Sequence, residues 1–325
     1  MGSELPRLLV ALRSRPEIAP AVTQSLPGIP WRYVADAPPE VRTAVEALLV
    51  GSLEREFPDF DAKTTPRLAF VQRVYTGLDG FPFGLFPATV RVAGNVGAFA
   101  PTVADHALAL ALAAARQVVA VQPMVAEGRL RPAPEGRPFE GSTALILGYG
   151  EIGRAIARRL SGFDVQVLGL NRSGRMAPGV VAMYPADRLA EALGVADLVF
   201  DVRPLTRKTR DSIGASELAR MRPKAIYVNV GRAATIDEAA LFRHLEGHPE
   251  FRAGLDPWWV ERFRDGTFGT RFPFARLPNF VGTPHSSGFS RGTEDRALAM
   301  ALDNLARYFR HGKPLYVADR SEYEG

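Results

Sequence analysis

The feature that most constrains this chain is a glycine-rich turn between an apolar run and a helical run. Residues 143–147 (TALIL) have the pattern of a buried strand, and residues 154–160 have that of a helix. Between them, Gly148 permits a tight turn, Gly150 lets a pyrophosphate approach the backbone, and Gly153 lets the helix pack on the strand. The helix start offers unpaired N–H groups to the phosphates. The predicted phosphate-binding residues are Gly148, Gly150, Glu151, Ile152 and Gly153.

Length and composition limit the class of protein. A chain of 325 residues with the turn in mid-chain predicts two domains. The net charge is only +5 and the basic residues are scattered, so no nucleic-acid partner is expected. The absence of cysteine excludes disulfides and thiol nucleophiles, and no metal site is predicted. No apolar stretch approaches the roughly 18 residues of a membrane span, and the N-terminus lacks a signal pattern. We therefore expect a cytoplasmic protein without a membrane partner.

The first hundred residues predict a small parallel α/β domain, because strand and helix patterns alternate. Residues 41–53 favour a helix, with a strand over 47–50 as the alternative. Residues 102–121 predict one long helix that is apolar on nearly every face, and hence buried in a core or a subunit interface. Residues 123–138 indicate a polar surface connection. Strands are predicted at 8–12, 68–74 and 90–94.

The region from residue 141 predicts a second, larger α/β domain. The last helical pattern, residues 293–310, is expected to return to the first domain. The predicted strands are 143–147, 164–170, 180–183, 198–202, 225–229, 254–256 and 279–283. The predicted helices are 154–160, 186–193, 215–221 and 238–245.

The end of the second strand in this domain indicates the dinucleotide. An acidic residue there would bind the ribose hydroxyls of NAD, whereas arginine accommodates a 2′-phosphate. The chain has Asn171 at this position, and two arginines follow closely. A carboxylate would repel a phosphate, and a guanidinium can bind one through paired N–H groups. Asn171, Arg172, Ser173 and Arg175 thus predict NADP as the cofactor, with NAD possible and a solvated basic loop as the alternative.

Three later segments carry residues suited to hydride transfer to a carbonyl. Arg232 follows a predicted parallel strand, where open α/β sheets bind ligands, and can hold a carboxylate and polarise its carbonyl. His285 can protonate a developing alkoxide, and a carboxylate such as Glu261 would keep the imidazole charged. Singly each residue has an ordinary structural explanation, and the prediction depends on their order along the chain.

The ordered motifs resemble those of the D-2-hydroxyacid dehydrogenases, the group that includes glyoxylate/hydroxypyruvate reductases and phosphoglycerate dehydrogenase. The matching segments are residues 76–79 (TGLD), 204–209 (PLTRKT), 231–238 (GRAATIDE) and 283–285 (TPH). The resemblance covers nearly the whole chain and is strongest over residues 141–288. It implies a reductase of a small 2-oxo acid such as glyoxylate or hydroxypyruvate, and the residues after the second strand add the expected preference for NADP.

The resemblance also implies residue roles. Arg232, Glu261 and His285 would be catalytic. Further cofactor contacts would come from Pro204, Thr209, Val230 and Asp256, with Asp256 facing the nicotinamide amide. Backbone N–H groups around Tyr75, Thr76, Gly77 and Leu78 would receive the substrate carboxylate. Asp105-His106, which stands where the family has Glu-His, is interpreted as structural.

The implied fold class is α/β, with two open parallel-sheet domains and a Rossmann-type cofactor domain inserted into a smaller flavodoxin-like substrate domain. Residues 1–98 plus 290–325 would form the substrate domain, and 99–289 the dinucleotide-binding domain. The active site would lie in the cleft between them. A homodimer is expected through the cofactor domain, with the long helix at the two-fold contact.

The chain departs from the family pattern at several positions. Ala233 replaces a glycine, and the residues flanking Glu261 differ from the usual ones although its spacing of five from Asp256 is kept. Trp258 and Trp259 either line the substrate pocket or pack beneath the loop. Two alternatives remain: a formate-dehydrogenase-like enzyme, which usually has glutamine where Glu261 stands, and a cofactor-sensing binding protein without significant turnover.

Overall fold

The computed structural model describes residues 4–13, 15–130, 134–263 and 265–323. The chain forms two compact units. Unit 1 comprises Met1–Phe99 and Arg291–Gly325, and unit 2 comprises Ala100–Ser290. Unit 2 is therefore inserted into the sequence of unit 1.

Unit 1 is built on a five-stranded parallel sheet with strand order β2-β1-β3-β4-β5. The central strands β1 and β3 are apolar and buried along their whole length, as expected for a parallel sheet that is covered on both faces. The order confirms the predicted flavodoxin-like arrangement. The elements are β1 (Leu8–Ala11), α1 (Ile18–Ser25), β2 (Trp31–Tyr33), β3 (Ala47–Val50), α2 (Leu53–Glu56), β4 (Phe70–Arg73) and β5 (Arg91–Ala93).

The C-terminal helix, Thr293–His311, completes unit 1 by packing on α1 and β4. Its buried residues recur at helical spacing, including Leu298, Leu302 and Leu305. Inside this contact the Asn304 amide donates to Gln72 Oε1 at 2.6 Å.

Unit 2 contains a seven-stranded parallel sheet with the order β14-β11-β10-β9-β6-β7-β8, and a two-stranded antiparallel hairpin, β12-β13. This is the predicted Rossmann-type arrangement. Its strands are β6 (Thr143–Leu147), β7 (Gln166–Asn171), β8 (Ala182–Pro185), β9 (Leu198–Asp201), β10 (Ile226–Asn229), β11 (Arg252–Leu255), β12 (Val260–Arg262), β13 (Thr267–Gly269) and β14 (Phe280–Gly282). Its helices are α3 (Ala100–Ala115), α4 (Val118–Ala126), α5 (Glu151–Leu160), α6 (Leu189–Gly194), α7 (Ala215–Arg220) and α8 (Glu238–Gly247).

Two sequence predictions were wrong in detail. The helix favoured over residues 41–53 is absent, because the apolar run Ala47–Val50 is the strand β3, held between β1 and β4. The single long helix over 102–121 is instead two helices, α3 and α4, that meet at a 66° bend. Gln117 causes the break, since its left-handed φ of 54° cannot continue a helix.

The residues after the bend also differ from prediction. The segment predicted as a polar connection from residue 123 begins inside α4, and residues 131–133 lie outside the described part of the chain. Helix α3 lies in the core of unit 2, against α5, β10 and β11. Among the described residues no single helix is long and apolar enough to cross a membrane, and only the bent pair α3 and α4 meets those criteria together.

Candidate functional site

The glycine-rich turn joins β6 to α5 and leaves space at its centre. Gly148 has a φ of 90°, and a Cβ there would lie 3.1 Å from the backbone of Arg203. A Cβ on Gly153 would lie 2.9 Å from the Gly148 carbonyl oxygen. By contrast, a Cβ on Gly150 would meet no atom within 4 Å. The outer glycines are therefore required by packing, and the open space at Gly150, before the first turn of α5, fits a phosphate group.

The other predicted residues of this turn lie at the start of α5. Glu151 is in the first helical turn and accepts from Arg154 Nη1 at 2.8 Å, and Ile152 is partly buried beside it. Gly150 is the N-cap, so the first N–H groups of α5 face the open space that its missing side chain leaves.

The loop after β7 is organised by Asn171. Its side-chain amide donates to the Arg175 carbonyl at 2.9 Å, and its Oδ1 accepts from the Ser173 N–H at 3.1 Å. Arg172 and Arg175 are exposed on this loop. The structure thus presents two guanidinium groups at the carboxyl end of β7 with no carboxylate in the loop between them.

Pro204 and Thr209 form a closed turn after β9. The Thr209 hydroxyl donates to the Pro204 carbonyl at 2.6 Å and accepts from the Thr206 N–H at 2.8 Å. Val230, after the neighbouring β10, is buried, and its N–H donates to the Asp201 carbonyl at 3.2 Å. Both turns lie at the carboxyl edge of the sheet, the edge that also holds the glycine turn.

Arg232 follows β10 and is partly buried, with Nη1 donating to the Gly231 carbonyl at 2.8 Å. Asp256 follows β11, and His285 follows β14. Since β10, β11 and β14 are adjacent parallel strands, their carboxyl ends place these three residues along one edge of the sheet. That edge is where open α/β sheets bind ligands.

His285 and Glu261 are in direct contact. His285 Nδ1 lies 2.6 Å from Glu261 Oε1, and the same oxygen accepts from the Trp258 N–H at 2.9 Å. The His285 backbone has a φ of 52°, and its N–H donates to the carbonyl oxygens of Asp256 at 2.9 Å and Thr283 at 3.0 Å. Left-handed backbone at a bulky residue is rare and concentrates at functional sites. Hairpin β12-β13, which the sequence did not predict, carries Glu261 to the imidazole.

The Asp256 carboxylate is fully buried and engaged by the loop that carries His285. It accepts from the Thr283 hydroxyl at 2.6 Å, the Ser286 N–H at 2.8 Å and the Ser287 N–H at 3.0 Å. Burial raises the pKa of Asp256, but hydrogen bonds involving His106, Ser287 and Thr283 outweigh burial and hold it well below its usual range. The carboxylate therefore stays ionised and fixes the loop; its contact with a nicotinamide amide stays a prediction.

His106, which was interpreted as structural, belongs to this network. Its Nε2 lies 2.8 Å from Thr283 Oγ1 and 3.4 Å from Asp256 Oδ1. Its neighbour Asp105 instead pairs with Arg159 on the surface at 2.5 Å. The packing of α3 against β14 turns His106 towards Thr283 and leaves Asp105 at the surface, which the sequence alone does not indicate.

The tryptophans pack beneath the loop. Trp258 is buried, stacks on Phe268 with ring centroids 4.3 Å apart, and donates from Nε1 to the Thr283 carbonyl at 2.9 Å. Trp259 stacks on Phe274 and donates from Nε1 to the carbonyl of Ile236 at 3.0 Å. Of the two alternatives, the structure favours packing over lining a pocket.

In unit 1, the predicted carboxylate-binding loop follows β4. Tyr75 is exposed and Leu78 is buried, so the loop is anchored at its far end. The Thr76 hydroxyl donates to the Asn95 carbonyl at 2.9 Å, and the carbonyl of Gly77 accepts from Arg73. These contacts fix the backbone of the loop within its own unit.

A buried ion pair at the end of β9 was not predicted from the sequence. Asp201 and Arg203 lie at the carboxyl edge of the sheet, among the predicted site residues. The only sequence signal was two charged residues flanking the end of an apolar strand pattern, which is also common in surface turns.

Fold and site together define a dinucleotide-binding α/β protein with a histidine–carboxylate pair at the ligand-binding edge of its sheet. The family model described as D-isomer specific 2-hydroxyacid dehydrogenase, NAD binding domain, matches residues 108–287. The chain belongs to this family, as the sequence motifs predicted, and unit 2 holds its nicotinamide-dinucleotide-binding domain. The open space at Gly150 fits that cofactor.

Individual relatives are similar over most of the chain. Glyoxylate reductase of Korarchaeum cryptofilum is 32% identical over 295 residues, 85% of each chain. Among solved structures, the NADPH-dependent glyoxylate/hydroxypyruvate reductase of Sinorhizobium meliloti in complex with NADP and malonate has a TM-score of 0.72 and 26% identity, covering 99% of both chains. A candidate formate dehydrogenase from Pyrobaculum aerophilum has a TM-score of 0.82 and 30% identity, covering 98% of this chain and all of that one.

Proposed function

We propose that the protein is an NADPH-preferring reductase of small 2-oxo acids such as glyoxylate or hydroxypyruvate. The observation that carries this proposal is the 2.6 Å contact between His285 Nδ1 and Glu261 Oε1 at the same sheet edge as Arg232. An imidazole whose Nδ1 is held by a carboxylate has its Nε2 oriented to donate a proton to a carbonyl oxygen that gains negative charge. The two relatives named as glyoxylate reductases support the substrate class.

The proposal assigns a role to each of these residues. When bound, the reduced nicotinamide supplies the hydride. Arg232 binds the substrate carboxylate and polarises the carbonyl, since a guanidinium can donate two parallel hydrogen bonds. His285 donates its proton from Nε2, because Nδ1 is occupied by Glu261. The loop from Tyr75 to Leu78 binds the carboxylate through backbone N–H groups.

The proposed preference for NADPH depends on Arg172 and Arg175. Both are exposed after β7, where an acidic residue would select NAD. Each guanidinium contact with the 2′-phosphate is expected to contribute about 1.5–3 kcal/mol, as hydrogen bonds to charged groups do. Removing one arginine should therefore lower kcat/KM with NADPH by about 10- to 100-fold. The rate with NADH should change little.

The test measures initial rates of NADPH and NADH oxidation separately, with glyoxylate, hydroxypyruvate, pyruvate and phenylpyruvate. Arg172→Ala and Arg175→Ala are compared with Arg67→Ala, an exposed arginine of unit 1. Equal losses with both cofactors in the two loop variants would contradict the preference. No turnover of any acid despite tight NADPH binding would contradict the reductase and favour a cofactor-sensing protein.

Formate oxidation serves as a further arm of the same test because of the similarity to the candidate formate dehydrogenase. Oxidation of formate needs no proton-donating pair, so the direct contact of Glu261 with His285 would not contribute to that reaction. We expect no NAD(P)⁺ reduction with formate, and robust reduction would contradict the proposal.

We further propose a homodimer formed through unit 2. Helix α4 exposes Val118, Val119 and Val125, whose exposed fractions are 46%, 54% and 74%. Several exposed valines on one short helix are typical of an interface between subunits. Light scattering should give a dimeric mass for the wild type and a monomeric mass for Val119→Glu/Val125→Glu. A monomeric wild type, or a dimeric variant, would contradict the interface.

A further inference from the structure

A buried ion pair occupies the end of β9 in unit 2. Asp201 is completely buried and Arg203 is 7% exposed. Arg203 donates from Nε to Asp201 Oδ1 at 2.9 Å and from Nη2 to Oδ2 at 2.6 Å. Its backbone N–H also donates to Oδ1, at 3.1 Å. The pair is thus bidentate and held by the main chain.

The Asp201 carboxylate also binds the segment that follows β10. Its Oδ2 accepts from the Tyr227 hydroxyl at 3.1 Å and from the Thr235 hydroxyl at 2.9 Å. Burial, together with the Asp201 charge, raises the pKa of Tyr227 well above its usual value, so this hydroxyl remains a donor. The main-chain carbonyl of Asp201 accepts from the Gly231 N–H at 3.2 Å. Both ends of Asp201 therefore contact the residues around Arg232.

The backbone of Arg232 is held by the same group of residues. Its carbonyl lies 3.0 Å from the Asn229 amide nitrogen and 2.9 Å from the Thr235 hydroxyl. The Asn229 amide also contacts the Tyr227 hydroxyl at 3.1 Å. A continuous set of hydrogen bonds thus joins the Asp201 carboxylate to the main chain of Arg232.

Arg203 also lies between two glycines. A Cβ on Gly148, in the phosphate-binding turn, would approach the Arg203 backbone to 3.1 Å. A Cβ on Gly231 would approach the Arg203 carbonyl oxygen to 2.8 Å. One residue therefore sets the distance between the phosphate-binding turn and the residue that precedes Arg232.

We propose that Asp201 and Arg203 are positioning residues that fix the Arg232 segment relative to the phosphate-binding turn. This inference deepens the proposed function and rests on it for the role of Arg232. A buried ion pair adds little net stability over well-packed apolar residues of similar volume. The directional hydrogen bonds to Thr235 and Tyr227 are what an apolar pair could not supply.

Thr235→Val tests the connection with the smallest change, because it removes one hydroxyl and keeps the shape. The control is Thr65→Val, which removes the hydroxyl of another buried threonine, in unit 1. In Thr235→Val we expect kcat/KM for the best 2-oxo acid to fall about 10- to 100-fold, since misplacing a group by about 1 Å can have that effect. The Kd for NADPH should stay within about threefold. A kcat/KM matching that of Thr65→Val would overturn the proposal.

A pair of variants separates positioning from stability. Asp201→Leu leaves a buried charge on Arg203 and should unfold at lower denaturant concentration, whereas Asp201→Leu/Arg203→Leu should recover most of that stability. We expect both variants to have a lower kcat/KM than the wild type, and the double variant should keep this low value although its stability recovers. A double variant that recovers the kcat/KM of the wild type together with its stability would overturn the proposal. If Asp201→Leu fails to fold, the double variant is compared directly with the wild type.

Oxalate binding distinguishes failure of this inference from failure of the proposed function. Oxalate carries carboxylates for Arg232 and needs no turnover, and its Kd is measured with NADPH present by isothermal titration calorimetry. Weaker oxalate binding in Thr235→Val than in Thr65→Val supports the positioning role even if the wild type reduces no 2-oxo acid. The absence of turnover would then overturn only the proposed function. Equal oxalate affinities in the two variants would overturn the positioning role.

Discussion

Replacing Glu261 with glutamine should remove the negative charge beside His285 while keeping the local geometry. One carboxylate oxygen, Oε1, contacts both His285 Nδ1 at 2.6 Å and the Trp258 N–H at 2.9 Å. The amide oxygen of glutamine can accept both hydrogen bonds. The substitution therefore isolates the charge of Glu261 from its shape.

The size of the effect follows from the hydrogen bond that loses its charge. The side chains of Glu261 and His285 are only 16% and 28% exposed, so solvent screens the pair little. A hydrogen bond to a charged partner contributes about 1.5–3 kcal/mol, against about 0.5–1.5 kcal/mol for a neutral one. The difference of about 1–1.5 kcal/mol corresponds to roughly a tenfold fall in kcat. His285→Gln removes the proton donor itself and should lower kcat by about 10²–10⁴-fold.

The assay is NADPH oxidation with the fastest 2-oxo acid, with kcat and KM determined for both single variants and for the double variant. The KM for the acid should change little, since Arg232 and the loop in unit 1 are proposed to bind it. The double variant should be no slower than His285→Gln, because Glu261 acts through the histidine. A kcat for Glu261→Gln within about twofold of the wild type would refute the reasoning, as would a double variant about tenfold slower than His285→Gln.

Three further outcomes are expected. Gly153→Ala should lower the free energy of unfolding by about 1–3 kcal/mol in denaturant titrations, because the new Cβ would lie 2.9 Å from the Gly148 carbonyl oxygen. Gly150→Ala should leave the free energy of unfolding unchanged, since its Cβ meets no protein atom within 4 Å, and should weaken NADPH binding measured by fluorescence titration. Burial and the nearby charge of a second histidine lower the pKa of His244 from 6.5 to about 4, so the folded state loses stability as pH falls from about 6.5 towards 4. In His244→Phe, urea unfolding at each pH should show this loss of folding stability reduced by about 1 kcal/mol. The value allows for solvent screening of a half-buried ring. Trp258→Phe keeps the ring stack but removes the hydrogen bond from Nε1 to the Thr283 carbonyl at 2.9 Å. The substitution should lower kcat by a larger factor than it raises the Kd for NADPH. An unchanged kcat would contradict a role of Trp258 in holding the loop that carries His285.

The sequence was sufficient for the features that depend on local pattern. The glycine spacing with its flanking strand and helix predicted the turn at Gly148, because close packing requires Gly148 and Gly153, and the absence of a side chain at Gly150 leaves space for a phosphate. The order of motifs along the chain predicted the family and placed Arg232 and His285 after strands that proved to lie on either side of β11. The choice between helix and strand over residues 41–53 failed, because a short apolar run fits either period and only its position between two strands decides.

The remaining features depend on contacts between distant residues. Asp201 and Thr235 are 34 residues apart, and nothing in the local pattern around either residue indicates that the Asp201 carboxylate accepts a hydrogen bond from the Thr235 hydroxyl. His106 and Thr283 are 177 residues apart. Hairpin β12-β13 has an unremarkable sequence, and the pairing of its two short strands fixes where Glu261 points. Such contacts are set by packing of the whole unit and not by spacing along the chain.

The interrupted sequence of unit 1 has a consequence for the order in which the chain folds during synthesis. Unit 2 is continuous and has all of its strands once residue 290 has emerged from the ribosome. Unit 1 has its five strands by residue 93, but the helix that covers β4 ends at His311, and its Asn304 reaches Gln72 across 232 residues. Because domains fold as units during synthesis, we expect the N-terminal sheet to wait with one apolar face covered only by α1 while the whole of unit 2 is made. We therefore expect the nascent chain to be open to aggregation and to chaperone binding at this stage.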